Sequence, residues 1–195
     1  MPDGAPILVR NTTTSPSALL TLPNVITLAR LCAVPLAFWL VIDHAMGAAF
    51  GLFVAAGASD AVDGWLARRA GVTRLGAMLD PVADKALLVT MYVTLAAVNA
   101  LPSWLATLVV FRDLVIVGGI GVLALLGQPV AIRPLFVSKV NTMLQIVLVA
   151  FTLFLAGFAL SGPAVDAASA ALIWIVAATT LVSGVAYVWR VAHGR

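Results

Sequence analysis

An all-α integral membrane protein with six transmembrane helices is the fold this sequence predicts, and three observations predict it. Hydrophobic residues make up 63% of the chain and charged ones only 10%, a balance outside the range of soluble domains. Six apolar stretches are each long enough to cross a hydrocarbon core of about 30 Å as helices of about 20 residues. Every second connection between them lacks Lys and Arg altogether, which is the charge asymmetry of a multi-pass protein.

In order, the stretches run from Val25 to Ile42, Met46 to Leu66, Leu79 to Ala97, Ser103 to Leu126, Val137 to Leu160 and Ala167 to Trp189. Residues 1–22, rich in Pro, Ser and Thr, read as a loose cytoplasmic segment, and residues 23–195 as a single catalytic domain. Arg10, Arg68, Arg69, Arg74, Arg133, Arg190 and Arg195 fall on one side of the membrane, so both termini are expected in the cytoplasm. The connections at Asp43-His44, at Ala100-Leu101 and over 161–166 fall on the other side. The net charge of +3 then serves topology and anionic headgroups, and nothing in the pattern suggests nucleic acid. Trp39, Trp104 and Trp189 sit near span ends, as interfacial anchors do. Cys32, alone within a span, reads as a small packing residue.

Chemistry concentrates in one block. Four of the eight acidic residues, Asp60, Asp63, Asp80 and Asp84, occur where the second span ends and the third begins. Spacings of i, i+3 and i, i+4 place each pair on one helix face, so two helices packed side by side would aim four carboxylates at one point. Such a cluster needs counter-charge, because even one ionised Asp in a membrane costs about 3 kcal/mol. Divalent cations supply it most simply, and carboxylate-only ligation suits Mg²⁺ or Mn²⁺. Pairing to Arg68, Arg74 and Lys85 is the plainer alternative. Gly64, Ala67 and Gly76 let a ligand or a backbone come close, and Arg68 can meet a phosphate. The expectation is a cytoplasm-facing metal site between helices 2 and 3.

The block Asp60-x-x-Asp63-Gly64-x-x-Ala67-Arg68 followed by Gly76-x-x-x-Asp80-x-x-x-Asp84 resembles the signature of the CDP-alcohol phosphotransferase family. Seven residues, Arg69 to Leu75, separate its two halves, fewer than the eight or nine of the family pattern. The resemblance implies a six-helix enzyme of a bacterial or mitochondrial inner membrane, a homodimer, that cleaves a CDP-linked donor and releases CMP. It implies two Mg²⁺ or Mn²⁺ ions held by Asp60, Asp63, Asp80 and Asp84, with Asp84 also the general base. By the same resemblance Asp63, Gly64, Ala67, Arg68, Gly76, Asn24 and Thr27 bind the nucleotide.

The acceptor is read from residues outside the signature. Arg112 in the fourth span, Arg133 in the following loop and Lys139 at the start of the fifth are cations in or beside the membrane that want an anion, and an acceptor phosphate would supply it. For Arg112 the alternative is pairing with Asp113; for Lys139 it is snorkelling to the headgroups. The runs Leu22 to Arg30, Phe111-Arg-Asp113 and Arg133 to Gln145 resemble the cardiolipin synthase branch, which joins CDP-diacylglycerol to phosphatidylglycerol. Phosphatidylglycerophosphate synthases, which take glycerol 3-phosphate, share several of these features. From another class, a divalent-cation transporter would also gather carboxylates, but its path needs polar groups across the whole bundle, and the outer halves of these spans are nearly all Val, Leu, Ile and Ala.

Overall fold

A computed structural model describes residues 22–70, 74–125 and 136–193, with side chains excepted at 22–27, 60–70, 74–81, 120, 122–124 and 191–192. It contains six helices: α1 Leu22–Ile42, α2 Met46–Ala70, α3 Arg74–Ala97, α4 Ser103–Leu125, α5 Phe136–Gly157 and α6 Pro163–Ala192. Each apolar stretch becomes one helix. α2 continues to Ala70, α3 begins at Arg74 and α6 runs from Pro163 to Ala192, each beyond the apolar limits because residues outside an apolar run can still prolong its helix. Residues 1–21 lie outside the described residues, so the expected loose N-terminal segment does too.

Three short turns connect α1 to α2, α3 to α4 and α5 to α6, and all close in the same way. In the first, the Ala45 amide bonds the Leu40 carbonyl at 2.9 Å while the His44 amide bonds Val41 at 3.1 Å. The same pair of bonds recurs from Ala100 to Leu95 and Asn99 to Ala96, and from Leu160 to Leu155 and Ala159 to Ala156. This Schellman pattern requires a left-handed residue, supplied by His44 at φ 58°, Asn99 at φ 58° and Ala159 at φ 52°. Orphaned helix-end carbonyls are thereby satisfied without a charged side chain. We call this end of the bundle the turn end and the opposite one, where α2 finishes and α3 starts, the aspartate end.

Around the bundle the helices contact one another in the order α1, α2, α5, α6, α4, α3 and back to α1, with a smaller α3–α5 contact across the middle. Helix α3 supplies much of the core. Leu87, Leu88, Met91, Tyr92 and Leu95 repeat at helical spacing and are almost wholly buried, against Val41, Phe53, Leu105, Val109, Leu148 and Leu153. At the turn end α2 and α5 meet backbone to backbone: a Cβ added to Gly157 would lie 2.8 Å from the Cα and N of Gly47. Phe50, Phe154 and Phe158 close over this contact, with ring centres 4.9 to 6.4 Å apart.

The exterior is more apolar than parts of the interior. Leu28, Phe38, Val93, Phe111, Leu114, Val117, Leu181 and Val185 face outward, while Arg30, Arg112, Asp113, Asn141, Gln145, Thr180 and Ser183 are buried. An apolar belt of that extent suits lipid rather than water. Among the described residues, α5 and α6 are long and apolar enough to cross a membrane, whereas α1 and α2 contribute shorter apolar runs. Trp39, Trp104 and Trp189 are exposed near helix ends, as anchors require. Cys32 corrects the sequence reading: it stands exposed on α1, on the outward side with Leu28, Leu31 and Leu36, and not in the packed core.

Candidate active site

Arg30 is the one strongly basic residue on α1 and only 3% exposed. Its Nη1 lies 2.7 Å from Oδ1 of Asp84 on α3, joining the helices that pack most extensively. The Asp84 side chain itself is 45% exposed, so the carboxylate is anchored by a buried guanidinium while nearly half of it stays accessible.

In front of it lies a cavity of about 560 Å³. Arg30 and the Asp84–Lys85 pair form its polar end, and the remaining wall is almost entirely apolar: Phe53, Val54 and Ala56 from α2, Leu87 and Leu88 from α3, Met143, Ile146 and Ala150 from α5, with Thr142 and Gly57. The stretches of α2 and α3 that carry the aspartates, 60–70 and 74–81, have side chains outside the described residues, so the expected side-by-side pair lies there too; further along, the described parts of α2 and α3 flank this cavity.

Beside Asp84, Lys85 places its Nζ 2.6 Å from Oδ2 of Asp113 on α4. Arg112 reaches the other oxygen of Asp113 at 3.0 Å and also donates to Ser138 on α5 and Ser183 on α6. Further along, Asn141 Oδ1 accepts from the hydroxyls of Thr179 and Thr180 at 2.9 Å each, and Gln145 meets Thr180 at 3.4 Å. A polar seam thus fastens α4, α5 and α6 behind the cavity. In a lipid solvent such bonds hold helices together where apolar packing offers no gain over lipid contact.

The residues singled out from sequence divide as follows. Asp60, Asp63, Gly64, Ala67 and Arg68 belong to α2, and Gly76, Asp80 and Asp84 to α3, with Asp80 one turn ahead of Asp84. Of these only Asp84 has a described side chain; those of the other seven, and of Asn24 and Thr27 on α1, lie outside the described residues, as does Arg133. Arg112 is committed to Asp113 and two serines, the pairing that the sequence leaves open. Lys139 is exposed on the first turn of α5. The partner of Lys85 among the described residues is Asp113 and not an aspartate of the block. Sequence reasoning missed Arg30. Its signal was there, an Arg among apolar residues at the middle of a span, since intramembrane cations mark function or demand a partner.

Aspartate oxygens are the donors a hard divalent cation such as Mg²⁺ or Mn²⁺ takes, but of the block only the Asp84 side chain is described, and among the described residues no three His, Cys, Asp or Glu side chains come together. Comparison with known proteins gives the family. Residues 20–182 match the family model described as CDP-alcohol phosphatidyltransferase. A chloroplastic CDP-diacylglycerol--glycerol-3-phosphate 3-phosphatidyltransferase of Oryza sativa is 34% identical across 86% of this chain and 56% of its own length. Human cardiolipin synthase (CMP-forming) is 31% identical over 68% of this chain and 50% of its own. The CDP-diacylglycerol--glycerol-3-phosphate 3-phosphatidyltransferase of Bacillus subtilis is 32% identical over 85% of this chain and 92% of its own. The chain therefore spans about half the length of the rice and human relatives and nearly all of the bacterial one. With most of its helical bundle matched to one family model, the chain belongs to the CDP-alcohol phosphatidyltransferase family.

Proposed function

We propose that this protein transfers the phosphatidyl group of CDP-diacylglycerol to phosphatidylglycerol, giving cardiolipin and CMP. Family membership over residues 20–182, with Asp84 opening onto an apolar-walled cavity, carries the reading. In this reading all six helices span the membrane, both termini are cytoplasmic, the aspartate end faces the cytoplasm and the enzyme works as a homodimer. Asp60, Asp63, Asp80 and Asp84 would hold two Mg²⁺ or Mn²⁺ ions, which supply charge neutralisation at the donor's diphosphate. Gly64, Ala67, Arg68, Gly76, Asn24 and Thr27, together with Asp63, take the nucleotide.

Asp84 acts as general base. It accepts the proton of the acceptor hydroxyl as that oxygen forms a bond to the phosphatidyl phosphorus, and the phosphorus–oxygen bond to CMP breaks. Arg30 holds the carboxylate in place from the buried side, so orientation is fixed before substrate arrives. Arg133 and Lys139 bind the acceptor, and Arg112 stiffens the wall behind it. The cavity's apolar lining matches substrates that carry acyl chains and reach the site by lateral diffusion.

A second reading is favoured by the names of the relatives, which include both cardiolipin synthases and glycerol-3-phosphate phosphatidyltransferases. In it the acceptor is glycerol 3-phosphate. The likeness of Arg133 to Gln145 to the cardiolipin branch favours the first. Purified protein given CDP-diacylglycerol and phosphatidylglycerol should release CMP only with Mg²⁺ or Mn²⁺ present. No release with any alcohol acceptor would refute an enzyme of this class. For topology, cysteines introduced over 161–166 on a Cys32→Ala background should label from outside, and one at the carboxyl terminus should not; the reverse pattern would overturn the orientation.

A further inference from the structure

Around Asp113 two cations share one carboxylate. Lys85 and Arg112 both bind it, and among the described residues no other acid lies within ion-pair distance of either. Counted over the described residues, the three-residue cluster carries one surplus positive charge, and a buried surplus charge is costly. The two cations are not equivalent. Arg112 is 6% exposed and its Nη1 and Nη2 are held by Asp113, Ser138 and Ser183, so it is fixed. Lys85 is 31% exposed at its side chain, lines the cavity, and has one described partner for an ammonium with three donors.

Its place on the helix matters as much as its charge. Lys85 follows Asp84 directly, so about 100° of helix separates the two side chains and both border the cavity from adjoining directions. A substrate whose hydroxyl meets Asp84 puts the group a few atoms away near Lys85. The rest of the wall, from Phe53 to Ala150, offers apolar surface for chains attached to that group. An anion with acyl chains answers all three features, and phosphate is the anion such lipids carry.

We propose that Lys85 binds the phosphate of a lipid substrate at the mouth of the cavity, and that Asp113 is the residue that positions it. The inference rests on the phosphatidyl-transfer reading above for the identity of the lipid. Two phosphates share this chemistry, the phosphodiester of the acceptor and the diphosphate of the donor.

The test compares Lys85→Met, Lys85→Arg, Asp113→Asn and the double variant Lys85→Met/Asp113→Asn, which keeps the net charge of the wild type. Lys85→Met should raise KM for one lipid about tenfold or more, as expected for losing a charge-assisted bond, and leave the other KM within about twofold. Lys85→Arg should recover most of the loss. Asp113→Asn should raise the same KM less, and add nothing on the Lys85→Met background, because it acts through the lysine. A rise in the phosphatidylglycerol KM assigns the acceptor; a rise in the CDP-diacylglycerol KM assigns the donor. Unchanged KM values, equal rises in both, or a fall in kcat alone would overturn the proposal. Direct binding of short-chain phosphatidylglycerol and of CDP-diacylglycerol reads the same contact without turnover. Should the wild type release no CMP, that fails the functional reading, while Lys85 stands or falls on whether Lys85→Met weakens binding of one of these lipids about tenfold.

Discussion

At the turn end, α2 and α5 touch through Gly47 and Gly157 with no side chain between them; two turns along the same helices, at Val54 and Ala150, they have parted far enough to border a 560 Å³ cavity. The first region is closed by small residues, three aromatic rings and capped turns that carry no Lys or Arg. The second holds Arg30, Asp84, Lys85 and the Asp113–Arg112 pair. The contrast teaches that the polar groups are concentrated where the helices spread, while the opposite end is closed by close backbone packing. Catalytic geometry needs such rigid support, since small misplacements of a base cost large factors in rate.

The largest effects should come from the open end. Asp84→Asn removes the proton acceptor but keeps shape, so turnover should fall about 10²- to 10⁴-fold with donor affinity largely retained, alongside some loss of stability because buried Arg30 loses its carboxylate partner. Near-normal turnover would contradict the base assignment. Asp60→Asn, Asp63→Asn and Asp80→Asn should instead raise the Mn²⁺ or Mg²⁺ concentration needed for half-maximal rate, because each removes an anionic ligand. A metal requirement unchanged in all three would detach the block from metal binding.

Next in size is the seam behind the cavity. Arg112→Met leaves Asp113 with Lys85 alone and strips Ser138 and Ser183 of their donor, so stability in detergent should drop by about 3 kcal/mol. An unaltered unfolding curve would mean the seam does not fasten α4, α5 and α6.

The closed end should change stability and leave substrate affinity alone. Gly157→Ala forces a methyl to within 2.8 Å of the Gly47 backbone, and should cost about 1–3 kcal/mol with both KM values unchanged. Smallest is Ala159→Gly. At φ 52° alanine is strained where glycine is not, so the substitution should stabilise by about 0.5–1 kcal/mol despite glycine's greater entropy in the unfolded chain. A loss of stability there would show that the left-handed cap is not under strain.

The fold was legible because hydropathy alone marks where a chain can cross a membrane: Ile42, Ala97 and the Ser103 start fall where the apolar runs predicted. What hydropathy does not carry is which helices adjoin. The Arg30–Asp84 pair spans 54 positions and depends on α1 lying against α3. Likewise, Asp84 and Lys85 are sequence neighbours with different partners, since successive helical residues point about 100° apart. The motif spacing located the acidic block, yet Arg30 had no spacing rule to announce it, only the rarity of a cation inside a span.

The central claim is that the cavity at the aspartate end joins two lipids. The most direct measurement supplies purified protein with CDP-diacylglycerol, Mg²⁺ or Mn²⁺, and either phosphatidylglycerol or glycerol 3-phosphate, and identifies the lipid product by mass. The account predicts cardiolipin from phosphatidylglycerol. Robust conversion of glycerol 3-phosphate with no reaction of phosphatidylglycerol would contradict it.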